Sequence, residues 1–468
     1  MTSENEMFRR TRRVHFVGIG GIGMCGLAEL LHEYGVEVSG SDLRDGATTE
    51  RLRSLGIAVA TGHDEAHVGD ADVLVYSSAV GATNPELQAA AQNKIPVIPR
   101  AEMLAELMRL QQGIAIAGSH GKTTTTSLVA HVLAAAGLDP TAVIGGRVLG
   151  RGDPSTTRRG QGAWLVAEAD ESDGSFLHLA PIIAVITNID PEHLDHYGSE
   201  TALHEAFVAF ANRIPFWGTA IVCLDHPGVR AVLPSLVRPT TTYGTSPQAD
   251  WVATEMRAHE GGMLVRVAHN GTALGEVHVP LVGEHNALNA LAALAVADEV
   301  GIPFERAAQA MSDFGGVERR FEDKGTAGGV RVIDDYGHHP VEVQATLSAA
   351  RQLHDGRVVA IFQPHRYTRT RDLFDEFAGA FHDADLLVLT PIYAAGEEKL
   401  RDVDSSALAG AVRAAGHRDV RFAAELAQLP ESLAPELRPG DLVITLGAGD
   451  ISGLGPRLLE SLRARETR

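Results

Sequence analysis

The sequence is poor in the features that mark secreted and membrane-spanning proteins. Only two cysteines, Cys25 and Cys223, occur among 468 residues, so we predict no disulfide framework and a reducing compartment. No apolar run approaches the roughly 20 residues needed to cross a bilayer. The charged first residues contain no apolar signal core. We therefore expect a cytoplasmic protein without a membrane partner.

Basic side chains are scarce relative to acidic ones. The chain has 40 Lys and Arg residues against 60 Asp and Glu residues, a formal net charge of −20. This excess of negative charge argues against a nucleic acid as the partner. Small anionic ligands remain compatible with it, because glycine turns and helix starts bind phosphate locally.

Short Val- and Ile-rich runs alternate with longer Ala- and Leu-rich stretches along the chain. This alternation is typical of α/β proteins with buried parallel strands, and the length predicts about three domains. We place the domains at residues 1–110, 111–316 and 317–468, with Gly315 and Gly316 as a hinge. An antiparallel strand add-on is expected over Tyr243–Val282, followed by a helix over Asn286–Val300. The predicted parallel strands are Val14–Val17, Val36–Ser39, Val73–Ser77, Pro96–Ile98, Gly113–Ala117, Trp164–Ala167, Ile182–Thr187, Ala220–Cys223, Val330–Ile333, Val358–Phe362, Leu386–Leu389 and Leu442–Leu446.

The most specific local pattern is a glycine turn between a predicted strand and a helix, GSHGKTT over residues 118–124. Backbone N–H groups and the helix dipole favour an anion there, and Lys122 can reach the outer phosphates of ATP. Thr123 would offer a hydroxyl to Mg²⁺. The full G-x-x-x-x-G-K-[ST] pattern is not met, because residue 116 is Ile. The alternative is an ordinary glycine turn followed by an exposed lysine.

A second glycine turn follows the first predicted strand. Gly18, Gly20 and Gly23 match the dinucleotide fingerprint G-x-G-x-x-G, and Asp42 follows near the end of the next strand. The glycines would let a diphosphate approach the backbone, whether it belongs to NAD, FAD or a UDP-sugar. The alternative is a tight strand–helix contact without a ligand.

Acidic and histidine residues follow two further strands of the central domain. Glu168, Asp170, Glu171 and Asp173 come at the carboxyl end of one strand, where one of them can hold a metal or all can form a solvated loop. The segment Asn188–His196 follows the next strand. Its two histidines lack the further ligands that zinc needs, and Mg²⁺ prefers oxygen.

In the third domain, polar segments again follow predicted strands directly. DDYGHHP (334–340) follows one strand, and QPHRYTRTR (363–371) follows the next. Three arginines in six residues can bind phosphate or carboxylate bidentately. The alternative is an exposed basic patch.

Taken together, the motifs resemble those of the Mur ligases, in the order of that family. They are GIGGIGM (18–24), GSHGKTTTT (118–126), EADESDGSF (168–176), TNIDPEHLD (187–195), GEHNALN (283–289), VERRFE (317–322), DDYGHHP (334–340) and QPHRYTRTRDLF (363–374). The resemblance implies a Rossmann-like UDP-sugar-binding domain, a central P-loop ATPase-like domain that binds ATP, and a Rossmann-like C-terminal domain that brings the amino acid and closes over the site. The shortened phosphate loop is the family's own variant.

The resemblance also implies roles for individual residues. ATP would be bound by Gly118, Ser119, His120, Gly121, Lys122, Thr123 and Thr124, with Asn286 at the adenine. The metal ligands would be Thr123, Glu168 and His193. Tyr336, His338 and Arg369 would hold the amino acid, with His338 a candidate for assisting loss of the amine proton. Phosphate contacts on closure are expected from Arg319, Arg320, His365 and Arg366. The UDP-sugar would be bound by Gly20, Gly21, Gly23, Asp42 and Ser78.

The implied activity is ATP-dependent joining of L-alanine to the carboxylate of UDP-N-acetylmuramate through an acyl phosphate, in peptidoglycan biosynthesis. The expected cofactors are ATP and Mg²⁺, and the expected state is a monomer or weak homodimer. Three alternatives remain: a recycling ligase that attaches a tripeptide to the same UDP-sugar, an NAD-dependent oxidoreductase, and a non-catalytic nucleotide-binding regulator.

Overall fold

A computed structural model describes residues 11–77, 79–146 and 156–466 of the chain. The described residues form two compact units. The first runs up to Glu255 and includes Arg266–Val277 and Leu288–Phe314, and the second contains Met256–Val265, His278–Ala287 and the chain from Gly315. Within the described residues, no helix has the length and apolar character that a membrane span requires.

The N-terminal sheet has five parallel strands in the order β3-β2-β1-β4-β5. The strands are β1 Arg13–Val17, β2 Glu37–Asp42, β3 Ala58–Thr61, β4 Val73–Tyr76 and β5 Val97–Pro99. The accompanying helices are Ile22–Glu33, Ala47–Ser54, Pro85–Gln92 and Arg100–Met108. The sequence analysis missed β3. It is a short edge strand with no fully buried residue, and the brief apolar run 57–60 that marks it in the sequence was overlooked.

The central sheet contains the strands that follow. They are β6 Gln112–Ala117, β7 Thr141–Val143, β8 Thr157–Arg158, β9 Trp164–Glu168, β10 Ile183–Ile186, β11 Thr219–Cys223, β12 Thr240–Gly244, β13 Trp251–His259, β14 Gly262–His269 and β15 Thr272–Val279. The order is β15-β14-β13-β12-β11-β10-β6-β9-β7-β8. The helices along this part of the chain are Lys122–Ala135, Leu194–Tyr197, Glu200–Ala211, Pro227–Val232, Glu284–Glu299 and Phe304–Ser312.

Two-residue turns join the strands of the predicted antiparallel add-on. Glu260 and Gly261 connect β13 to β14, Asn270 and Gly271 connect β14 to β15, and all four residues have positive φ. Turns of this kind match the twist of adjacent antiparallel strands. The predicted antiparallel add-on is therefore confirmed over β13–β15, but its predicted start at Tyr243 is wrong, because Tyr243 belongs to β12, which pairs in parallel with β11 and β13.

One hydrophobic cluster of the first unit draws residues from both the N-terminal and the central sheet regions. Phe16 and Leu27 belong to it together with Ala117, Phe176 and Phe210, all buried. Because these side chains share one core, the N-terminal and central regions form a single compact unit although each has its own sheet.

The C-terminal sheet has six strands in the order β16-β17-β21-β18-β19-β20. The strands are β16 Glu322–Ala327, β17 Val330–Asp335, β18 Val358–Phe362, β19 Leu386–Leu389, β20 Val420–Phe422 and β21 Leu442–Leu446. The helices are Pro340–Leu353, Tyr367–Asp372, Phe374–Ala378, Ser405–Ala414, Leu429–Leu433 and Leu454–Glu466. Buried clusters cover both faces of the sheet. Only β16 is antiparallel. It reads EDKGTA, and this polar edge strand gave no apolar signal.

Candidate active site

The central glycine turn connects β6 to the helix Lys122–Ala135, as the sequence predicted. Gly118 has φ +135° and Gly121 has φ +81°, values that side chains other than glycine rarely adopt. A Cβ on Gly118 would lie 2.1 Å from Thr187 Oγ1, and one on Gly121 would lie 2.6 Å from Asn289 Oδ1. Both glycines are therefore required by backbone conformation and by space. The turn leaves the first N–H groups of the helix available for an anion.

Lys122 extends from the first residue of that helix and folds back over the turn. Its Nζ donates hydrogen bonds to the carbonyl oxygens of Gly118 at 2.6 Å and Ser119 at 3.2 Å. A third hydrogen bond, 2.9 Å long, joins Nζ to Glu171 Oε1. Burial alone would lower the pKa of Lys122, but the negative charges of Glu171, Asp170 and Glu168 outweigh it and raise this pKa. Lys122 is therefore a fixed positive charge at the phosphate loop.

Thr123 and Glu168 lie beside each other. The Thr123 hydroxyl is 3.0 Å from Oε2 and 3.2 Å from Oε1 of Glu168, which ends β9. Gly145 N–H donates a 2.9 Å hydrogen bond to the same carboxylate. Strands β6 and β9 are parallel neighbours, so their carboxyl ends meet at one edge of the sheet. The arrangement places a hydroxyl and a carboxylate next to the phosphate loop.

The acidic residues that follow β9 do not form a uniformly solvated loop. Glu171 is only 1% exposed, whereas Asp173 is exposed and accepts a hydrogen bond from Ser175 N–H. Burial raises the pKa of Glu171 to about 7, and the charge of Asp170 adds to the rise while Lys122 opposes it. Burial alone would also raise the pKa of Asp170, but the charge of Lys122 and hydrogen bonds from Ser172 hold it below its ordinary value.

The segment after β10 holds the phosphate loop in place. Asn188 accepts a 2.7 Å hydrogen bond from His120 N–H through Oδ1 and donates one of 3.0 Å to His120 O through Nδ2. The Thr187 hydroxyl donates a 2.6 Å hydrogen bond to the same carbonyl, and Asp190 N–H donates to Ser119 Oγ at 2.9 Å. The histidines of this segment were the residues predicted from the sequence, whereas the role of Asn188 is visible only in the structure.

Asp190 lies between two histidines. Its oxygens are 3.1 Å from His120 Nε2 and 3.3 Å from His226 Nε2. Burial alone would raise the pKa of Asp190, but hydrogen bonds from His120 and His226 hold it well below the ordinary range. The predicted metal ligand His193 has φ +56° and lies 3.6 Å from a Glu192 oxygen. Such left-handed backbone is uncommon for residues with a side chain and is found often at functional sites.

The two asparagines of the segment GEHNALN have different surroundings. The predicted adenine contact, Asn286, is buried and donates a 2.8 Å hydrogen bond to Val282 O within the second unit. Asn289, which the sequence analysis did not single out, lies against Gly121 of the phosphate loop in the first unit. The two residues are one helical turn apart.

The N-terminal glycine turn joins β1 to the helix Ile22–Glu33, with Gly21 as the residue before the helix. Gly20 N–H donates a 2.9 Å hydrogen bond to Asp42 Oδ2. Gly18 N–H bonds to Ser41 O at 2.8 Å. Asp42 is therefore held against the loop as the sequence spacing suggested, whereas Ser78 lies outside the described residues.

Arg100 is a basic residue that the sequence analysis missed. It begins the helix Arg100–Met108, directly after β5, and its Nη1 lies 3.1 Å from the point that a Cβ on Gly23 would occupy. Its charge also helps to lower the pKa of Asp170. Among the described residues, Arg100 has no ion pair. A lone cation beside the first turn of a helix opposes the helix dipole unless an anion lies between them.

Glu86 is a second feature that no motif indicated. It is fully buried, and its oxygens lie 3.0 Å from His15 Nε2, 3.2 Å from His63 Nδ1 and 3.3 Å from His67 Nδ1. The Ser41 hydroxyl donates a further hydrogen bond of 2.8 Å. Burial alone would raise the pKa of Glu86, but hydrogen bonds from His15 and Ser41 outweigh it and lower this pKa to about 2. The network ties β1 and β2 to the helix Pro85–Gln92 below the glycine turn.

In the second unit, Tyr336 directly follows β17 and lies against two arginines. The guanidinium carbons of Arg319 and Arg320 are 5.0 and 5.2 Å from the centre of its ring, within the range of a cation–π interaction. Tyr336 N–H donates a 2.7 Å hydrogen bond to Arg319 O. Arg319 has φ +58° and also forms a 3.0 Å ion pair with buried Asp334.

His338 and His365 lie in contact, with ring centres 5.6 Å apart. Burial lowers the pKa of His338 to about 3, and the charges of Arg369 and His365 lower it further against Glu342. Burial and the charges of Arg369 and Arg366 lower the pKa of His365 to about 4. Both imidazoles are therefore neutral at pH 7 and can accept or donate a hydrogen bond.

The arginines after β18 begin a short helix, Tyr367–Asp372. Arg369 Nη1 is 3.3 Å from His365 Nδ1, so Arg369 joins the histidine group. Arg366 has φ +69° and is, after His193 and Arg319, the third predicted site residue other than glycine with a positive φ. Arg371 is exposed and pairs with its neighbour Asp372. Of the three arginines, Arg371 therefore lies at the surface, whereas Arg366 and Arg369 lie near the other predicted site residues of this unit.

Three family models cover most of the chain. They are the Mur ligase family catalytic domain over residues 13–112, the Mur ligase middle domain over 116–297 and the Mur ligase glutamate ligase domain over 319–449. The chain belongs to the Mur ligase family. A Mur ligase is an ATP-dependent enzyme, so this protein is a ligase that uses ATP. Family membership disfavours the alternative of an NAD-dependent oxidoreductase.

Individual relatives agree with this Mur ligase assignment. The UDP-N-acetylmuramate–L-alanine ligase of Anaeromyxobacter is 57% identical over 98% of this chain and 100% of its own. The crystal structure of the UDP-N-acetylmuramate–alanine ligase of Thermotoga maritima matches with a TM-score of 0.82 at 28% identity, over 97% of this chain and 100% of that chain. A murein peptide ligase of Psychrobacter arcticus matches with a TM-score of 0.71 at 25% identity, over 97% and 99% of the two chains. The predicted α/β class and the ligase interpretation are confirmed.

Proposed function

We propose that this Mur ligase joins the amine of L-alanine to the carboxylate of UDP-N-acetylmuramate and converts ATP to ADP and phosphate. The observation that carries the proposal is the phosphate loop, where Lys122 and the Thr123–Glu168 pair lie at one edge of the central sheet. The high identity to a UDP-N-acetylmuramate–L-alanine ligase supports the choice of substrates. The reaction belongs to peptidoglycan biosynthesis, and we expect it to occur in the cytoplasm with the protein as a monomer or weak homodimer.

ATP has its proposed site in the region 111–316. The N–H groups at the start of the helix Lys122–Ala135 would hold the phosphates, and Lys122 would supply the positive charge at the outer phosphoryl group. During phosphoryl transfer, negative charge spreads over the moving oxygens, so a cation already in position stabilises the transition state more than the ground state. The carboxylate of the sugar is itself an anion, which makes this cation more necessary.

The oxygen donors beside the loop fit Mg²⁺. Thr123 and Glu168 offer a hydroxyl and a carboxylate within hydrogen-bonding distance of each other, and Mg²⁺ prefers such ligands. Together with His193, they are the residues that we propose to hold the ion. When bound, Mg²⁺ would neutralise charge on the phosphate oxygens.

The UDP-sugar has its proposed site in the region 1–110. The diphosphate would lie on the turn that contains Gly20, Gly21 and Gly23, which follows the carboxyl end of β1 and leads into the start of a helix. We add Arg100 to this site, because it is a half-buried cation beside Gly23 and forms no ion pair with any residue that the structure describes. In a chain with net charge −20, such a local cation is what a diphosphate requires.

Alanine has its proposed site in the C-terminal region, residues 317–468. Arg369 would bind the amino-acid carboxylate, while Tyr336 and neutral His338 would orient the amine. A pKa near 3 makes His338 a weak base, so its proposed contribution is a hydrogen bond to the amine. Arg319, Arg320, His365 and Arg366 remain proposed phosphate contacts.

A ligase that attaches a tripeptide to the same UDP-sugar is the second candidate, because a murein peptide ligase shares the fold. The decisive experiment incubates the protein with ATP, UDP-N-acetylmuramate and either L-alanine or the tripeptide, and measures phosphate release. Release with L-alanine supports the proposal. Release only with the tripeptide would assign the second function, and phosphate release that depends on neither the UDP-sugar nor the amino acid would favour the nucleotide-binding regulator.

A further inference from the structure

Glu171 is a partner of Lys122 that the proposed reaction leaves without a role. Lys122 Nζ has three acceptors, the carbonyl oxygens of Gly118 and Ser119 and the carboxylate oxygen Oε1 of Glu171. An ammonium group has three N–H bonds, so all of them are used. A nucleotide phosphate can reach Lys122 only if one of these acceptors leaves.

The surroundings of Glu171 are unusual for a carboxylate. The residue is 1% exposed, and in the described part of the chain its second oxygen, Oε2, has no hydrogen-bond partner. The main chain is fixed, because Glu171 O accepts hydrogen bonds from the Tyr197 hydroxyl at 2.5 Å and from Gly174 N–H at 3.0 Å. The charges that act on the carboxylate are Lys122, which is positive, and Asp170, which is negative. Lys122 is therefore the main favourable charge that acts on it.

The three acceptors of Lys122 are not equivalent when a phosphate arrives. The carbonyls of Gly118 and Ser119 belong to the turn that would wrap around the phosphate, and both are neutral. Glu171 is negative, so a phosphate oxygen offers Lys122 the same charge in its place. If Glu171 stayed, two anions would share one cation in a buried site, which is unfavourable.

We propose that Glu171 holds Lys122 in the nucleotide-free protein and that a nucleotide phosphate replaces Glu171 on Lys122. This inference rests on the proposed ATP site and adds a positioning residue to it. Before nucleotide binds, Glu171 keeps the ammonium group over the loop, so that Lys122 loses little conformational freedom on binding.

The exchange has a measurable consequence. On phosphate binding, the Glu171 carboxylate loses its ammonium partner but remains buried, close to Asp170 and to the phosphate. Because both neighbours are negative, the carboxylate takes up a proton from the solvent. Burial already raises the pKa of Glu171 to about 7 in the free protein, and the pKa rises further when phosphate is bound. Nucleotide binding is then linked to proton uptake, so above pH 7 the affinity falls by up to about tenfold per pH unit.

The test is calorimetric titration of the full-length protein with ATP and magnesium chloride, without the sugar or the amino acid so that no turnover occurs. Titrations at pH 7.5 in two buffers of different ionisation enthalpy give the number of protons taken up. The variants are Glu171→Gln, which cannot titrate, and the matched control Asp173→Asn on the exposed part of the same loop. Because the ionisation of ATP is common to all three proteins, it cancels in the comparison.

We expect the unmodified protein and Asp173→Asn to take up more protons than Glu171→Gln. At pH 8 we expect Glu171→Gln to bind ATP about tenfold more tightly than the unmodified protein, and at pH 6 about equally, because Glu171 is then largely protonated before binding. Equal proton uptake in all three proteins would overturn the inference. So would a loss of affinity in Glu171→Gln as large as in Lys122→Ala, since Glu171 would then be needed with nucleotide bound.

Two further results are distinguishable. If Glu171→Gln fails to fold, proton uptake is measured on the unmodified protein alone, and the separately measured ionisation of ATP is subtracted. If no proton uptake then remains, the inference is overturned. If the unmodified protein does not bind ATP at all, the proposed function fails, and this inference fails with it.

Discussion

The hydroxyl of Thr123 lies 3.0 Å and 3.2 Å from the two carboxylate oxygens of Glu168. The two residues come from different elements, since Thr123 is the second residue of the helix after the phosphate loop and Glu168 is the last residue of β9. Their side chains meet because β6 and β9 are parallel neighbours that end at the same edge. A hydroxyl and a carboxylate so placed fit a divalent cation next to the phosphates.

Replacing Thr123 by Val is expected to raise the magnesium concentration needed for half-maximal activity by about tenfold, because losing one oxygen ligand weakens the metal site. The measurement is phosphate release as a function of magnesium concentration. The control is Thr125→Val. The Thr125 hydroxyl is buried and has no partner among the described residues, so we expect the same magnesium dependence and no loss of stability. An unchanged magnesium requirement in Thr123→Val would remove Thr123 from the metal site.

Lys122→Ala is expected to lower the rate of ligation by at least about 100-fold, the typical effect of removing a preorganised charge. Phosphate release with all three substrates measures it, and thermal unfolding shows whether the variant is folded. Lys122→Arg keeps the charge and should be less severe in ATP binding than Lys122→Ala. Turnover close to that of the unmodified protein in a folded Lys122→Ala variant would contradict the phosphate-loop assignment.

Arg369→Ala is expected to raise the KM for alanine at least about tenfold while the KM for ATP changes little, because a charged hydrogen bond to the carboxylate is lost. The matched control is Arg371→Ala, two residues further on, whose side chain pairs with Asp372 at the surface and should affect neither KM. Equal effects of Arg369→Ala on alanine and ATP would exclude this residue from the amino-acid site.

Arg100→Ala is expected to weaken binding of UDP-N-acetylmuramate by about 10- to 100-fold, as the loss of one charged hydrogen-bonding group does. Binding of ATP should be unchanged. Arg109→Ala is the control, because Arg109 directly follows the same helix and pairs with Glu106. Direct titration with each nucleotide measures both affinities. If Arg100→Ala binds the UDP-sugar normally, Arg100 is not part of the UDP-sugar site, and its role is limited to lowering the pKa of Asp170.

Glu86→Gln is expected to lower the free energy of unfolding at pH 7 by about 3 kcal/mol, from the lowered pKa of this buried carboxyl. Because the folded pKa of about 2 lies below the ordinary 4.5, the stabilisation is present above pH 4.5 and is lost as the pH falls towards 2. The difference between the two proteins should therefore be smaller at pH 3 than at pH 7. Urea unfolding at both values checks it, with exposed Glu50→Gln as the control. A difference that does not depend on pH would assign Glu86 a packing role.

The strands and residues that the sequence did not predict differ from the predicted ones in burial or in their distance along the chain from their partners. Strands β3 and β16 lie at sheet edges. Strand β16 is largely polar, and β3 is apolar but has no fully buried residue, so neither has the buried apolar run of the inner strands. Arg100 and Glu86 belong to no spacing pattern. Their surroundings depend on the fold, because elements distant in the chain place Gly23 beside Arg100 and three histidines around Glu86. Ser78, predicted for the UDP-sugar, lies outside the described residues and stays a prediction.

By itself, the sequence determined the α/β class, the position of the phosphate loop and the ligase family. These features depend on local information, because apolar runs and glycine spacing are properties of neighbouring residues. Only the tertiary structure decided that Glu171 is buried on Lys122 while Asp173 is exposed, and that His338 and His365 are neutral. Burial and the pKa of a side chain depend on which distant elements pack around it, and residues of one acidic or basic run can therefore have opposite surroundings.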